Sequence, residues 1–144
     1  MHQLITSVLV IVIISVVNGD KCGQNCLYSN CPSTCPCGRT ANYVQATSYC
    51  SQYTDWDQQC CNCIVQAESQ GNANTMNYNT GGTWDIGLFQ INQQNFASCN
   101  NGQYPCNPQQ NLACARKVWQ WGGNTFKLWA TVGKCNRQLG KRCG

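Results

Sequence analysis

The chain has 144 residues, the size of one domain, and only 10% are charged, against about 25% in an average globular protein. Fourteen residues are cysteine, nine are Lys or Arg and five are acidic, which leaves a net charge of +4. His2 is the single histidine. These numbers exclude Ser-His-Asp and Cys-His catalysis, Cys/His zinc fingers and most imidazole-ligated metal sites, and they leave any catalysis to very few carboxylates.

Residues 4–17 are almost wholly apolar, interrupted by Thr6, Ser7 and Ser15. A run of about 14 residues is too short to span a bilayer but suits the core of a signal peptide. Val17 and Gly19 take the −3 and −1 places for cleavage before Asp20, although Met1-His2-Gln3 carries no Lys or Arg. The expected layout is a signal peptide at 1–19 and a folded domain at 20–144, with a cysteine-rich region at 20–62. The expected address is secreted. No later stretch is apolar enough to cross a membrane, so stable membrane insertion is not expected.

All fourteen cysteines follow the apolar run, in a compartment where disulfides persist, and seven bridges are possible. Cys22 and Cys26, Cys31, Cys35 and Cys37, and Cys60, Cys61 and Cys63 are close enough to suggest thiolate zinc sites. An oxidising compartment and the absence of histidine downstream of the apolar run favour disulfides instead, so no metal and no cofactor is expected. No Asn-x-Ser/Thr sequon occurs. The positive charges are scattered from Lys21 to Arg142 and do not interleave with aromatics as a nucleic-acid groove would. Nucleic acid is therefore not expected as a partner, and the modest excess of charge suits anionic polymers such as cell walls.

In chain order, 42–53 reads as a first helix, with Tyr43, Val44, Ala46 and Tyr49 on one side. The segment 60–69 reads as a stronger one, because Cys61, Ile64, Val65 and Glu68 follow the i, i+3, i+4, i+7 pattern of a single buried face. Residues 71–95 change character. Asn-rich turns lead to Gly81-Gly82, a hairpin signal, and 83–86 and 88–91 flank Gly87 as short strand or strand-to-helix segments. At 107–121, Asn107 as N-cap, Pro108 at N1 and Gln110 at N3 open a helix whose apolar face is Leu112, Ala115, Val118 and Trp119. Gly122-Gly123 stops it. Asn124 is then placed to cap a short helix through Phe126, Leu128 and Trp129, ending at Gly133, before a basic tail held by Cys143. No repeat or linker breaks the chain, so one α+β domain is the simplest reading.

Among the acids, Glu68 and Asp85 alone are embedded in apolar sequence: Glu68 follows Ile64-Val65-Gln66-Ala67, and Asp85 lies between Trp84 and Ile86. A carboxyl beside buried apolar surface keeps its proton to higher pH, whereas one in a polar setting stays charged. Glycoside cleavage needs such a pair, one acid for the leaving oxygen and one carboxylate for the anomeric centre.

The stretch Ala67-Glu68-Ser69, Asn72, Asn77-Tyr78-Asn79-Thr80, Gly82-Thr83 and Asp85-x-Gly87-x-x-Gln90-Ile91-Asn92 resembles the active-site segment of the c-type lysozymes. The resemblance covers about 75 residues, from Cys61 to Cys135, with residues 68–92 as its specific part. The chain departs from the family in its longer, cysteine-rich N-terminal region. It also has Gln94-Asn95-Phe96 where the family has paired tryptophans. The Cys61-Asn62-Cys63 motif is also similar to invertebrate-type lysozymes, so a divergent branch is indicated. The calcium loop of the α-lactalbumins has no counterpart.

The resemblance implies a two-lobed, disulfide-rich α+β fold with a helical lobe and a small β-hairpin lobe. It implies a bridge between Cys63 and Cys135. It makes Glu68 the general acid and Asp85 the nucleophile or stabiliser of an oxocarbenium-like transition state. Asn77, Asn79 and Asn92 would bond around Asp85 and keep it ionised, and Gln90 would line the cleft. An apolar wall against Glu68 is sought among Trp119, Trp121, Phe126 and Trp129, with Phe126 and Trp129 both compatible. The implied activity is hydrolysis of β-1,4 bonds between N-acetylmuramic acid and N-acetylglucosamine in peptidoglycan, by a monomer that is secreted or retained in the lumen of a lysosome or digestive vesicle. The alternatives are a lytic transglycosylase that needs only Glu68, and a non-catalytic sugar-binding or antimicrobial protein on the same scaffold.

Overall fold

A computed structural model describes Cys22–Gln24 and residues 35–144. The leader at 1–19, its cleavage point, Cys26 and Cys31 lie outside the described residues. The described part is an α+β fold: helices α1 (Ala46–Cys50), α2 (Gln58–Glu68), α3 (Phe96–Asn100), α4 (Pro108–Trp121) and α5 (Val132–Leu139), with a three-stranded antiparallel sheet between α2 and α3.

Helix α2 starts where Asp57 accepts a hydrogen bond from the Cys60 backbone N–H, which satisfies one of the four N–H groups that a helix start leaves free. It buries Cys61, Ile64 and Val65 of the stripe expected from its period, together with Cys60 and Cys63, and leaves Glu68 at its end partly buried. Its C-terminus is held by Ser69, whose buried hydroxyl donates to Leu88 O at 2.7 Å in the β-lobe. Helix α4 follows its caps closely. The Asn107 side chain accepts from the N–H groups of Gln109 and Gln110, and Pro108 sits at the first turn. Its buried face is Leu112, Ala115, Val118 and Trp119, together with Cys114 and Asn111.

The expected helix at 42–53 is shorter. Tyr43 pairs in an isolated bridge with Asn72 and is exposed, so only Ala46–Cys50 is helical. The helix expected from Asn124 to Gly133 is absent. Asn124 instead ends α4: its N–H donates to Trp119 O, the Gly123 N–H donates to Gln120 O, and both residues have positive φ (61° and 68°). Those two bonds satisfy the last carbonyls of α4 in a Schellman arrangement. The spacing of Phe126 and Trp129 mimics a helical period, but their backbone forms successive turns. Helix α5 begins later and runs through Gly133, the residue read as its stop.

Strands β1 (Met76–Tyr78), β2 (Trp84–Ile86) and β3 (Ile91–Asn92) are ordered β1-β2-β3, with Asn77 opposite Asp85 and Asp85 opposite Asn92. The Gly81-Gly82 signal marks the β1–β2 turn, closed by Asn79 N–H to Thr83 O and by Gly82 N–H to Asn79 O. Leu88 and Phe89 do not form a strand. They lie fully buried in the turn between β2 and β3. Asn111, itself fully buried, joins this turn to α4: its Nδ2 donates to Ile86 O and Pro105 O, and its Oδ1 accepts from the Phe89 N–H. Gly87 lies directly over that amide, with φ of 78° and only 2.3 Å between Asn111 Nδ2 and the position a Cβ would take. Gly87→Ala is expected to cost about 2–4 kcal/mol of stability, from positive φ and from displacement of Asn111. Chemical denaturation of the two proteins measures that cost.

Six disulfides are present among the described residues: Cys22–Cys35, Cys37–Cys106, Cys50–Cys61, Cys60–Cys143, Cys63–Cys135 and Cys99–Cys114. Cys60, Cys61 and Cys63 bond to three different partners, so each ties α2 to another part of the chain. Cys63–Cys135, the pair that the resemblance implies, joins α2 to α5 across 72 residues of sequence. Staples of this kind supplement the thin core of a small chain. No described helix is long and apolar enough to cross a membrane.

Candidate active site

Glu68 is the last residue of α2, and Asp85 is the middle residue of β2. The helix brings one carboxyl to the edge of the helical lobe, and strand alternation points the other off the sheet face opposite Trp84 and Ile86. Both line one cleft of about 240 Å³ between the lobes, with Gln90, Asn92, Asn95, Val118, Leu128 and Trp129 also on its walls.

The two carboxyls have unlike surroundings. Glu68 is partly buried, and burial pushes its pKa above the usual glutamate value; the negative charge of Asp85 pushes in the same direction. The Thr131 hydroxyl opposes both by donating to Glu68 Oε1 at 2.5 Å. Asp85 accepts one amide donor on each oxygen, from Asn79 Nδ2 to Oδ2 and from Asn92 Nδ2 to Oδ1, both at 2.8 Å. Two N–H donors thus hold the Asp85 carboxylate in place. Thr83 Oγ1 accepts the second N–H of each amide, at 3.3 Å from Asn79 and 3.0 Å from Asn92. One hydroxyl therefore fixes the orientation of both donors.

Asn79 and Asn92 thus flank Asp85, one amide on each carboxylate oxygen. Asn77 is the strand partner of Asp85. Gln90 lines the cleft, but its amide is occupied internally, donating to Thr75 O and Gly87 O. Trp129 is the residue on the cleft wall, held by its indole N–H donating to Phe89 O at 2.9 Å. Phe126 faces inward against Trp56, at 5.5 Å between ring centroids, and Trp119 lies in the same core. Trp121 is half exposed and does not line the cleft. Asn95, in the segment that lacks paired tryptophans, offers a polar group at the cleft instead.

Sequence reasoning assigned no role to two hydroxyls, those of Thr83 and Thr131. Thr83 could have been found from its place two residues before Asp85 on the hairpin. Thr131 is 63 residues from Glu68, and no sequence signal links them.

The site can protonate an oxygen from one side with Glu68 and face developing positive charge from the other with Asp85. A family model described as a lysozyme like domain matches residues 45–131, which include both carboxyls, Thr83, Asn92 and Thr131. The chain is 40% identical over 53 residues to a Lysozyme C of Takifugu rubripes and, equally, to a Lysozyme C of Scophthalmus maximus. Each match covers 37% of this chain and 36% of the relative, so the chain spans about a third of the length of the curated relatives it matches. A family match over more than half of the chain, on an α+β, disulfide-stapled fold with two carboxyls in one cleft, makes this chain a member of the lysozyme-like domain family.

Proposed function

We propose that this chain is a muramidase, hydrolysing the β-1,4 bond between N-acetylmuramic acid and N-acetylglucosamine in bacterial peptidoglycan, with Glu68 as general acid and Asp85 as nucleophile or electrostatic stabiliser. The observation that carries this reading is the asymmetry of the pair: a carboxyl favoured in its protonated form by burial faces, within one cleft, a carboxylate that accepts two amide donors. Protonated Glu68 gives its proton to the glycosidic oxygen as the bond to the anomeric carbon breaks. Asp85 stabilises or captures the carbon from the other face. Water then completes hydrolysis with Glu68, now ionised, as base, giving the retention expected of the family the chain resembles. Asn79, Asn92 and Thr83 hold Asp85 in place, Asn77 and Gln90 shape the floor beside it, and Trp129 forms the apolar wall. Peptidoglycan is the substrate in this reading, and the chain acts as a monomer.

The net charge of +4 favours approach to anionic walls. The same reading makes the chain a secreted or luminal protein, with 1–19 as a removable leader and the cysteine-rich 20–62 as part of a domain at 20–144. Wild type is expected to clear a turbid suspension of bacterial walls, and Glu68→Gln is not. Equal clearing by both proteins, or by neither, contradicts the proposal.

A further inference from the structure

Thr131 takes the N-cap position of α5, where a threonine hydroxyl ordinarily accepts a hydrogen bond from the first free N–H groups of the helix. Here it does not. Thr131 has helical φ/ψ (−80°, −6°) and makes no side-chain cap bond, although an N-cap bond contributes about 1 kcal/mol to a helix. Its hydroxyl is turned instead to Glu68 Oε1, at 2.5 Å. The register that permits this is covalently fixed. Cys63 is five residues before Glu68 and Cys135 four after Thr131, and the bond between them locks α2 against α5. Ala130 and Trp129, the two residues before Thr131, line the cleft, and the Thr131 hydroxyl meets Glu68 at Oε1.

We propose that Thr131 is a positioning residue that holds the Glu68 carboxyl and sets the upper pH limit at which the site works. The inference rests on Glu68 acting as the proton donor. A hydroxyl donating to a carboxylate favours the ionised form, so it counteracts the burial that favours the neutral one. The charged group acting on Glu68 from the β-lobe is Asp85 on β2, whose negative charge adds to the effect of burial. From β3 and α4 the cleft receives Asn92 and Val118, which carry no charge. Helix α5 bears Lys134 and Arg137, neither of which lines the cleft. Thr131 is thus the donor that restrains how far the proton affinity of Glu68 rises, and a general acid works only below its own pKa.

The chain has one glutamate, so selective ¹³C-glutamate labelling gives a single carboxyl signal to titrate. Thr131→Val keeps the shape and the backbone N–H that also acts on Glu68 but removes the hydroxyl donor, while Thr131→Ser keeps both. The titration midpoint of Glu68 is expected to rise by about one pH unit in Thr131→Val, as for loss of one hydrogen bond to a charged group, and to stay at the wild-type value in Thr131→Ser. The alkaline limb of wall lysis is expected to move by the same amount. An unchanged midpoint in Thr131→Val overturns the proposal. A shifted midpoint in a protein whose wild type lyses no wall keeps the positioning role and overturns the muramidase reading instead.

Discussion

Glu68→Gln is expected to lower the rate of peptidoglycan cleavage by about 10²–10⁴-fold, the contribution of a well-placed general acid. Gln fills the same space and can still accept the Thr131 hydroxyl bond, but it has no proton to give at the glycosidic oxygen. The fold should not suffer, and its response to pH should improve. An unfolded glutamate titrates near 4.5, while the folded Glu68 has a raised value. The folded state therefore binds the proton more tightly, and the stability linked to it is full below the unfolded value and is lost as pH rises through the folded one. Gln has no such loss. The variant is expected to match wild type in thermal midpoint at acid pH and to exceed it at neutral and alkaline pH. Paired melts across pH, beside the lysis assay, measure both effects. A variant that is inactive and also less stable at every pH would mark Glu68 as structural.

Asp85→Asn is expected to reduce cleavage on the order of 10²–10³-fold, as when one preorganised electrostatic partner of a transition state is removed. The change is isosteric but not neutral for its surroundings. Both Asp85 oxygens accept amide N–H groups, from Asn79 and Asn92, and an Asn side chain offers only one acceptor. One of the two amides must then face another NH₂ group or turn over and give up its bond to Thr83, which costs about 1 kcal/mol at this half-exposed site. Because Thr83 ties both amides together, the disturbance reaches the whole β1–β2 hairpin. Kinetics on soluble peptidoglycan fragments separate a fall in kcat from a change in KM. A transglycosylase that uses Glu68 alone would tolerate this substitution, so its near-wild-type activity would favour that chemistry.

The sequence was most legible where local chemistry and packing agree. Helices α2 and α4 have capping side chains, a single apolar stripe and a clear stop, and every apolar residue of those stripes is buried, with Glu68 partly so. Legibility failed where an apolar period had no helix beneath it. Phe126 and Trp129 are spaced like a helical face, yet each is buried from turn backbone, Phe126 in the core and Trp129 on the cleft wall. Helix α5 was hidden for the opposite reason, since only Cys135 on it is buried and a glycine occupies its first turn. Helix α3, five residues in a polar segment, carries too little pattern to be read.

The carboxyl pair stood out because acids are scarce in this chain, and Asn79 and Asn92 stood out by their offsets from Asp85. Thr83 and Thr131 did not, because hydroxyls are common in the chain and their roles arise only when the hairpin folds and the Cys63–Cys135 bridge brings α5 to α2.

The most direct test of the account is mass spectrometry of the fragments released from purified peptidoglycan by the wild-type chain. Hydrolysis by the Glu68–Asp85 pair predicts fragments ending in reducing N-acetylmuramic acid, with one water added for each bond cut. Fragments ending in 1,6-anhydro sugar, or walls left uncut, would contradict it.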